Sequence, residues 1–581
     1  MEKSWALKPQ GDPEKIKHLS KVLNIDAPLA NLLAQRGVST LEEAKIFFRP
    51  TLDQLFDPFL MKDMDKAINR ISHAIKNDER ILVYGDYDVD GTSAVALVYT
   101  FLHAFHEKIG FYIPDRYLEG YGISFKGIDF AAETDVKLII ALDCGIKSVE
   151  KVEYASSKGI DYIICDHHRP GADLPAAIAV LDPKRSDCPY PYKELSGCGI
   201  GFKLIQAYAR INNIPFTKLI QYLDLVVISI ASDIVDITGE NRILAFYGLK
   251  LINSRPRPGL EALLTFSAIR KNEESNGACV FNRELTISDL VFLIGPRINA
   301  AGRIESGNNS VRLLISASYE EAKKVAEQIN DYNTERKTLD TFATQQAISM
   351  IDADSRLRSA RSTVIYHPDW HKGVIGIVAS RLTESYFRPT VVLTLSNGLI
   401  TGSARSVKDF DIYEAIDSCS DLLEHFGGHK FAAGLSLLPE NLIKFSERFE
   451  AAVSARLQGI ELVPVIDVDA LLPLNVINTR FYSVLKQFAP FGPGNMAPLF
   501  VTNGVIDAGG SRVVGKNHLK LNVVHPDITG GPLSAIAFQQ GEHFGLIDKQ
   551  IPFNICYHIE ENEWNGSVNL QLNVKDIRFS G

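Results

Sequence analysis

Residues 81–91 read I-L-V-Y-G-D-Y-D-V-D-G, so a short apolar run leads into three aspartates at alternate positions and then a glycine. The same arrangement recurs at residues 138–145, L-I-I-A-L-D-C-G, and at residues 162–168, Y-I-I-C-D-H-H. Each apolar run is typical of a buried strand, and each ends in a carboxylate. Because parallel strands bring their carboxyl ends to one edge of a sheet, we expect these side chains to converge there. Carboxylates and imidazoles together predict a site for a divalent cation.

The rest of the chain predicts a multidomain α/β protein. Strand and helix patterns alternate from residue 81 to about residue 252, which favours a mostly parallel, doubly wound sheet. A polar helical pattern without proline or glycine at about residues 318–353 predicts a long helix between two lobes, and it lacks the sustained heptads of a coiled coil. Strands resume over residues 363–438, with glycine-rich loops expected at 398–406 and 427–434. Five strand patterns after about residue 462 predict a small barrel of the OB type.

Composition narrows the class of protein. The 581 residues are too many for one core, and 46% hydrophobic with 23% charged residues is ordinary for a soluble globular protein. A net charge of −9 excludes a uniformly basic, histone-like protein, but it allows a nucleic-acid enzyme with a locally basic channel.

The cysteines and the apolar segments indicate a cytoplasmic location. Seven cysteines without C-x-x-C spacing predict a reducing compartment, with neither disulfides nor zinc. Residues 1–12 lack the apolar core of a signal peptide, and no apolar run approaches the ~20 residues that span a bilayer. We therefore expect a soluble, cytoplasmic protein without a membrane partner.

The first aspartate cluster has two alternative interpretations. Asp86, Asp88, Asp90 and Gly91 match the start of an EF-hand loop, but Leu97 stands where the closing glutamate is required, and a strand precedes the loop. One aspartate, for which we expect Asp90, is interpreted as a turn or N-cap residue. Three clustered carboxylates repel one another unless a cation compensates, so the others are interpreted as ligands.

The chemistry that this pattern predicts is hydrolysis of a phosphoester. Such a site holds two cations about 3.5–4 Å apart that clamp a phosphate and acidify a bridging water. A histidine among oxygen ligands suits Mn²⁺, while the oxygen-rich remainder also accepts Mg²⁺. The candidate ligands share this chemistry and are Asp86, Asp88, Asp143, His167 and Asp233.

These motifs carry a family resemblance. D-Y-D-V-D-G, D-C-G, D-H-H and the segment around Asp233 resemble the four motifs of the DHH phosphoesterase superfamily. Further segments resemble the RecJ family within it, the 5′→3′ exonucleases specific for single-stranded DNA. They are P-D-R-Y-L-E-G-Y-G (114–122), S-G-C-G-I-G-F-K-L (196–204), R-I-N-A-A-G-R-I (297–304), G-S-A-R-S (402–406), G-G-H-K-F-A-A-G (427–434) and P-F-G-P-G-N (490–495).

The resemblance covers nearly the whole chain in the same order and implies five parts. These are a helical N-terminal segment (1–50), a DHH catalytic domain with a parallel sheet (51–316), a connecting helix (317–353), a DHH-associated α/β domain of the DHHA1 type (354–458) and an OB-like nucleic-acid-binding domain (459–581).

The resemblance also implies roles at the metal site. It makes the five candidate ligands the family's metal ligands and makes Asp88, Asp143, Asp166 and His168 the catalytic residues. Asp166 is expected to support the site, and His168 to contact the substrate phosphate or assist proton transfer. Many family members have a ligating histidine where this chain has Tyr84, so we expect one of the two metal sites to be weak.

Substrate contacts are implied in the same way. Arg116 and Tyr121 resemble the pair that grips the 5′ end, with Tyr121 able to stack on a base. Ser403 and Arg405 resemble a 5′-phosphate anchor. The phosphate path and the facing lobe would add Arg297, Asn299, Arg303 and His429.

The function implied is metal-dependent hydrolysis of single-stranded DNA from its 5′ end to 5′-mononucleotides, in DNA repair and recombination. A single-strand-binding protein and a helicase are the implied partners of a monomeric enzyme. Two alternatives remain open: a DHH phosphoesterase acting on small phosphoesters or short oligonucleotides, and a DHH-derived DNA-binding scaffold without activity.

Overall fold

The computed structural model describes residues 3–272, 279–527, 530–564 and 567–579. Its fold is the multidomain α/β architecture predicted from the sequence, with two α/β lobes, a long helix between them and a C-terminal barrel. The chain begins with one strand and three helices: β1 (Ser4–Leu7), α1 (Pro13–Leu23), α2 (Ala27–Gln35) and α3 (Leu41–Phe48).

The first lobe contains a five-stranded, wholly parallel sheet in the order β3-β2-β4-β5-β6. Its strands are β2 (Arg80–Gly85), β3 (Ile109–Tyr112), β4 (Val136–Leu142), β5 (Asp161–Cys165) and β6 (Ala179–Leu181). Side chains alternate between two cores, with Ile81 and Val83 in one and Leu82 and Tyr84 in the other. Burial on both faces explains why these strands read as continuous apolar runs.

Helices cover both faces of this sheet and extend the lobe. They are α4 (Met64–Lys76), α5 (Val89–His103), α6 (Phe125–Glu133), α7 (Val149–Ser157), α8 (Gly197–Ile211), α9 (Leu223–Ser232), α10 (Gly239–Ser254), α11 (Pro258–Leu264), α12 (Ile287–Asp289), a π-helical turn (Leu290–Ile294), α13 (Gly295–Ile304) and α14 (Asn308–Ile315). Helices α5, α8 and α9 pack together behind the sheet edge at which β2, β4 and β5 end.

Helix α15 (Tyr319–Ala353) connects the two lobes. Its 35 residues span about 52 Å at the α-helical rise. It packs on α11, α13 and α14 of the first lobe and on α17 of the second. The polar, glycine-free pattern therefore corresponds to one continuous helix.

The second lobe is a five-stranded mixed sheet in the order β10-β11-β9-β8-β7. Its elements are α16 (Ser355–Ser359), β7 (Thr363–Tyr366), α17 (Ile375–Tyr386), β8 (Thr390–Ser396), β9 (Leu399–Arg405), α18 (Ile412–Asp417), β10 (His425–His429), β11 (Ala432–Leu437) and α19 (Leu442–Arg456).

The glycine-rich loops predicted in this lobe are wrong. Residues 399–405 form β9, and residues 427–434 form parts of β10 and β11 with a tight turn between them. Gly402 occurs inside a strand because a Cβ there would lie 2.5 Å from Leu393 Cδ2 and 3.1 Å from Leu435 Cγ. Close packing, which the sequence does not display, explains the glycine.

The C-terminal domain is an OB-type barrel. Its elements are β12 (Val465–Val468), β13 (Ala470–Leu471), α20 (Thr479–Lys486), β14 (Phe500–Asp507), β15 (Arg512–Val514), β16 (His518–Val524), β17 (Leu533–Ala537), α21 (Phe544–Ile547), β18 (Phe553–Trp564) and β19 (Ser567–Phe579). Strand β14 pairs with both β16 and β18, which closes the five-stranded order β14-β16-β17-β19-β18. The predicted barrel is confirmed.

The N-terminal segment packs on this barrel. Strand β1 pairs in parallel with β12, and Leu19, Leu32 and Ala44 lie in one apolar core with Phe500 and other barrel residues. The two ends of the chain therefore form one structural unit.

Short 3₁₀ turns complete the chain at Leu52–Gln54, Pro58–Leu60, Phe216–Lys218, Ile220–Tyr222, Ser420–Leu422, Pro439–Asn441, Leu474–Val476 and Gly541–His543. All seven cysteines are free thiols. Among the described residues, none of the helices combines the length and the hydropathy needed to cross a membrane.

Candidate active site

The carboxylates predicted to converge lie at the carboxyl edge of the first sheet. Asp86 follows β2, Asp143 follows β4 and Asp166 follows β5 directly. Asp143 has a left-handed backbone conformation with φ of 58°, which turns the chain sharply at the strand end. Asp233 enters from the other side, as the C-cap residue of α9. Burial is nearly complete for Asp86, Asp143 and Asp166.

The structure corrects which aspartate of the first motif caps helix α5. Asp88, not Asp90, is the N-cap of α5, and its Oδ1 accepts a hydrogen bond from Gly91 N at 3.0 Å. Asp90 lies in the first turn and accepts hydrogen bonds from Gly197 N and Cys198 N, both at 2.7 Å, at the start of α8. Helix α5 starts one residue after Asp88, which places Asp90 inside the helix and aims it at α8.

The imidazole of His167 is the centre of the cluster. Its Nε2 atom lies 3.2 Å from Asp143 Oδ1, 3.5 Å from Asp233 Oδ2 and 3.7 Å from Asp90 Oδ2. Two sets of side chains each bring three potential ligand atoms within 4.8 Å of one another: Asp143, His167 and His168, and Asp90, His167 and Asp233. The residues predicted from separate strands are therefore neighbours.

Several buried atoms of the cluster have no partner with hydrogen-bond geometry among the residues that the structure describes. These atoms are Asp86 Oδ2, Asp143 Oδ1, His167 Nδ1 and His167 Nε2. Buried polar atoms are ordinarily satisfied, and unsatisfied carboxylate oxygens beside an unsatisfied imidazole nitrogen form a donor set for a divalent cation. The residues present fit such an ion.

The pKa values of the acidic cluster are shifted because its buried carboxyl groups lie close together without a neutralising cation. Burial, together with the charge of Asp88, raises the pKa of Asp86 to about 8. Burial, together with Asp90 and Asp88, raises the pKa of Asp233 to about 8 and that of Asp143 well above its usual range. Burial lowers the pKa of His167. A bound cation would relieve this repulsion, because it stabilises the ionised carboxylates.

Asp166 and His168 form a separate, satisfied pair beside the cluster. Asp166 Oδ1 accepts from His168 Nδ1 at 2.7 Å and from His167 N at 2.8 Å, and its Oδ2 accepts from Ile146 N at 2.9 Å. Burial opposes ionisation of Asp166, but these hydrogen bonds outweigh it and lower its pKa to about 2. Burial likewise opposes charge on His168, but Asp166 raises the pKa of His168 to about 9. The hydrogen bond to Asp166 therefore favours the protonated form of His168.

Tyr84, the residue at the family's histidine position, does not face the cluster. It is fully buried, and its hydroxyl donates to Gly122 O at 3.0 Å and accepts from Ser124 N at 3.1 Å. Its ring stacks on Tyr112 at 5.3 Å. Tyr84 fixes the start of α6 and supplies no ligand atom.

The loop of residues 114–122 lies against the metal cluster. Gly122 N donates to Asp86 Oδ1 at 3.2 Å, and the Tyr121 hydroxyl lies 3.2 Å from both His168 Nε2 and Asp143 O. Tyr121 is half exposed. The Arg116 guanidinium lies 4.8 Å above the ring of Tyr87. Both predicted gripping residues therefore border the cluster.

The arginines of residues 297–304 have different environments. Arg303 Nη1 donates to Gly373 O of the second lobe at 3.0 Å, and Asn299 Oδ1 accepts from Val89 N at 3.2 Å beside Asp88. Arg297 is buried, and its guanidinium donates to Leu293 O and Phe266 O. These bonds hold the Arg297 guanidinium against main-chain carbonyls inside the lobe, and its place on the phosphate path stays a prediction.

In the second lobe, the residues of the predicted 5′-phosphate anchor lie on a strand. Ser403 and Arg405 are on β9, and Arg405 Nη1 donates to Ser403 Oγ at 3.1 Å. His429, at the exposed end of β10, and Arg405 both pair with Ala432 of β11, so they project from the same sheet face. Ser403 Oγ would lie 3.1 Å from a Cβ at Gly376, near the first turn of α17.

Positively charged side chains without carboxylate partners lie between the two lobes. Burial, followed by repulsion from Arg116, lowers the pKa of Arg303 to about 10 and lowers those of Arg405 and Lys372. Within the described ranges, none of these four side chains forms an ion pair with a carboxylate. We call Arg116, Arg303, Lys372 and Arg405 the cationic cluster. It fits a polyanion, as the acidic cluster fits cations.

Three residues at the site were not singled out from the sequence. Asp182 follows β6 and is a further fully buried carboxylate at the same sheet edge, in V-L-D, which repeats the strand-end pattern. Tyr117, in the 114–122 loop, donates a hydrogen bond to Arg303 O. Lys372 follows β7 in a segment without a charged motif. Only Asp182 had a signal in the sequence.

Three family models match consecutive parts of the chain. They are "DHH family, N-terminal domain" over residues 80–230, "DHHA1 domain" over residues 359–455 and "RecJ OB domain" over residues 468–576. The matched ranges follow the first lobe, the second lobe and the barrel.

Similar proteins and structures extend over the whole chain. The single-stranded-DNA-specific exonuclease RecJ of Bacillus subtilis (strain 168) is 34% identical over 98% of this chain and 70% of that protein. RecJ of Escherichia coli (strain K12) is 32% identical over 94% of this chain and 95% of that protein. The crystal structure of RecJ in complex with Mn²⁺ from Thermus thermophilus is 26% identical, with a TM-score of 0.83, over 100% of this chain and 80% of that one. The chain therefore belongs to the RecJ family of the DHH phosphoesterases.

Proposed function

We propose that this protein is a metal-dependent exonuclease that hydrolyses single-stranded DNA in the 5′→3′ direction to 5′-mononucleotides, in DNA repair and recombination. One observation carries the proposal: an acidic cluster with unsatisfied ligand atoms lies beside a cationic cluster contributed by both lobes. The first is suited to divalent cations and the second to a phosphate terminus. The relatives described above are named for this activity.

The metal proposed is Mn²⁺ or Mg²⁺, because the donor set is carboxylate oxygens with one neutral imidazole. Its ligands would be Asp86, Asp88, Asp143, His167 and Asp233. Bound divalent ions would supply charge neutralisation at the scissile phosphate and acidify an attacking water. Asp90 holds α5 against α8 through Gly197 N and Cys198 N and so keeps the ligands in register.

Occupancy in the free protein should be low at one of the two sites. Tyr84 is turned toward Gly122 and Ser124 and leaves the acidic cluster with one imidazole fewer than many family members. We therefore expect a calorimetric Mn²⁺ titration of the free protein to saturate near one equivalent per chain. Two equivalents of equal affinity would contradict this.

The proposed role of His168 is to bind the phosphate as a cation. Asp166 keeps the imidazole protonated and oriented through Nδ1, which leaves the Nε2–H beside the Tyr121 hydroxyl and Asp143. From there it can donate to a phosphate oxygen and supply a proton to the 3′ oxygen of the nucleotide that is released. Asp166 acts only through His168, because its oxygens are occupied by hydrogen bonds.

The 5′ end would be held by Ser403 and Arg405 of the second lobe with Arg116 and Arg303 of the first. Arginine offers paired donors to phosphate, and the cluster has no internal carboxylate to satisfy it. Tyr121 presents half of its surface for stacking on a base, Asn299 lies beside the metal site, and His429 shares a sheet face with Arg405. An anchor for the 5′ phosphate gives the direction of hydrolysis.

The barrel would bind the strand further from its 5′ end. A groove of about 570 Å³ crosses β16, β17 and β19, the side of the barrel on which OB-folds bind oligonucleotides. Its lining includes Lys520, Asn522 and Gln571, which can bond to phosphates and base edges. The proposed partners are single-stranded DNA, a single-strand-binding protein and a helicase, and the proposed enzyme is monomeric.

The proposal is tested with 5′-labelled single-stranded, duplex and dinucleotide substrates in the presence of Mn²⁺ or Mg²⁺. We expect release of mononucleotides from the single strand and loss of this release in Asp143→Ala, by about a thousandfold or more if the metal supplies several kcal/mol of stabilisation. Asp417→Ala, which removes an exposed carboxylate at the end of α18 in the second lobe, is the matched control. Hydrolysis of the dinucleotide alone would support a small-substrate phosphoesterase, and absence of hydrolysis with retained DNA binding would support a scaffold.

A further inference from the structure

We propose that Tyr117 is a positioning residue that fixes the spacing between the 5′-phosphate anchor and the metal cluster, and thereby the length of the product. The inference rests on the proposed function. It concerns a side chain to which neither the sequence motifs nor the proposed chemistry gives a role. Its basis is the position of the 114–122 loop, which contacts both clusters.

One end of this loop is attached to the acidic cluster. Gly122 N donates to Asp86 Oδ1, and the Tyr121 hydroxyl lies within 3.2 Å of His168 Nε2 and Asp143 O. These contacts tie the C-terminal part of the loop to the sheet edge of the first lobe. The position of that part is therefore set by the residues that hold the metals.

The other end of the loop reaches the second lobe directly through the Tyr117 ring and indirectly through Arg303, a first-lobe residue to which the Tyr117 hydroxyl is bonded. The hydroxyl donates to Arg303 O, while Arg303 Nη1 donates to Gly373 O at 3.0 Å. The Tyr117 ring packs edge-on against His371 at 5.9 Å. Gly373 permits this approach, because a Cβ there would lie 2.6 Å from Arg303 O and 2.7 Å from the Tyr117 hydroxyl.

Tyr117 itself is held rigidly at the base of the loop. Its main-chain N–H donates to Asp115 Oδ1 at 2.8 Å, and Asp115 N donates to Glu119 Oε1 at 2.9 Å. Glu119 in turn accepts from Ser124 Oγ and from the Tyr112 hydroxyl. A hydrogen-bonded loop of fixed length therefore connects the metal ligands to the lobe that contains Ser403 and Arg405.

A fixed loop between the two clusters determines how many nucleotides fit between them. If the second lobe cannot shift relative to the metals, a strand anchored by its 5′ phosphate presents one particular phosphodiester for hydrolysis. Loss of the Tyr117 hydroxyl removes the bond to Arg303 O, while the ring and its packing on His371 stay. Arg303, which belongs to the cationic cluster and contacts Gly373 O, then gains freedom, so longer products and weaker recognition of the 5′ phosphate should appear together.

The test compares Tyr117→Phe with the unchanged protein on a 5′-phosphorylated and a 5′-hydroxyl single strand, with the products separated by length. We expect the dinucleotide-to-mononucleotide ratio to rise and the preference for the 5′ phosphate to fall, each by about threefold to tenfold, the effect of losing one neutral hydrogen bond. Gly373→Ala, which displaces the same contact from the other lobe, should change both quantities in the same direction.

Tyr154→Phe is the matched control, because Tyr154 also donates one hydrogen bond, to Asp129 Oδ1 at 2.8 Å, away from both clusters. It should keep the product lengths and the 5′ preference of the unchanged protein. If Tyr117→Phe releases only mononucleotides with the original 5′ preference, Tyr117 does not set the spacing. If the unchanged protein releases no nucleotides from either strand, the proposed function fails instead.

Discussion

At the scale of single residues, the acidic cluster links metal binding to proton release. Asp86 and Asp233 are buried beside other carboxylates, and each has a pKa of about 8 without a bound cation. Below that pH they hold protons that a metal must displace, because a ligand has to be ionised to bind. A carboxyl group with a raised pKa is mostly protonated below that pKa. It therefore supports metal binding increasingly as the pH rises toward the pKa and the group ionises.

We therefore predict that the apparent affinity of the free protein for Mn²⁺ increases from about pH 6 to about pH 8, by up to about tenfold per pH unit for each proton displaced. Calorimetry in two buffers with different ionisation enthalpies measures the protons released. Release should be largest near pH 6 and should diminish as both carboxyl groups ionise. An affinity independent of pH over this range would mean that these carboxylates are not ligands.

A second residue-scale prediction concerns Arg405. Arg405→Ala should reduce the preference for a 5′ phosphate over a 5′ hydroxyl by about tenfold to a hundredfold, since a hydrogen bond to a charged group contributes about 1.5–3 kcal/mol. The measurement is kcat/KM on matched oligonucleotides. Arg356→Ala is the control, because its side chain is 91% exposed on the same lobe. An unchanged preference in Arg405→Ala would place the anchor elsewhere.

The residues of the acidic cluster show how far the sequence predicts a site. The strand-end positions of Asp86, Asp143 and Asp166 could be predicted, because an apolar run followed by a carboxylate has few other structural meanings. The roles of Asp88 and Asp90 could not, since a shift of the helix start by one or two residues exchanges the N-cap with the first turn. Arg297 and Arg303 belong to one motif, yet only the packed lobe turns one inward and the other toward Gly373.

At the scale of elements, a buried network of charged side chains joins helix α15, which packs on the first lobe, to the second lobe. Asp340 is fully buried and pairs with Arg336 Nη1 at 2.8 Å on the same helix and with Arg381 Nη1 at 2.6 Å on α17. Arg336 Nη2 also donates to Asn333 Oδ1 at 2.8 Å. One carboxylate thus joins the connecting helix to the second lobe.

Asp340→Ala should lower the free energy of unfolding by about 3–5 kcal/mol, because it leaves the charge of Arg336 buried without its partner. Thermal and urea unfolding measure the loss. Arg356→Ala, which removes the 91% exposed partner of Asp354, is the control and should leave the melting temperature unchanged. Equal melting temperatures for both variants would show that the Asp340 network does not stabilise the junction.

Some helices and strands could be predicted from the sequence and others could not, and the difference has a physical reason. The parallel strands of the first lobe and α15 have strong local periodicity, and the structure contains them within a few residues of their predicted bounds. Strands β9 and β10 include Gly402, Gly427 and Gly428, residues that locally favour loops. Their conformation is determined by pairing with β8 and β11, which no local pattern displays.

At the scale of the whole molecule, the N-terminal segment and the C-terminal barrel pack together. The N-terminal helices share a core with the barrel, although about 450 residues separate them in sequence. The cationic cluster likewise combines Arg116 and Arg303 of one lobe with Lys372 and Arg405 of the other. Such long-range neighbours have no signature in composition or periodicity, so the sequence alone predicts the parts better than their arrangement.

A buried arginine helps to attach the barrel to the first lobe, beside the hydrogen bond from Ile237 N to Pro493 O at 2.7 Å. Arg242 of α10 donates through Nη1 to Phe488 O at 2.9 Å and through Nη2 to Ala489 O at 3.0 Å and Phe47 O at 3.1 Å. Its guanidinium also lies 4.0 Å from the centre of the Phe47 ring. The side chain therefore joins the catalytic lobe to both the N-terminal segment and the turn between α20 and β14 of the barrel domain.

We predict that Arg242→Met releases this attachment, because the carbonyls that it satisfies would be left buried without donors. If the barrel binds the strand beyond the anchor, the variant should bind long single strands at least tenfold more weakly, while kcat/KM on oligonucleotides too short to reach the barrel stays within about twofold. Arg210→Met is the control, since Arg210 lies on the first lobe with 60% of its side chain exposed. If activity and binding fall equally on short and long substrates, Arg242 supports the catalytic lobe itself. If the binding of long strands is unchanged, the barrel does not contribute to DNA binding.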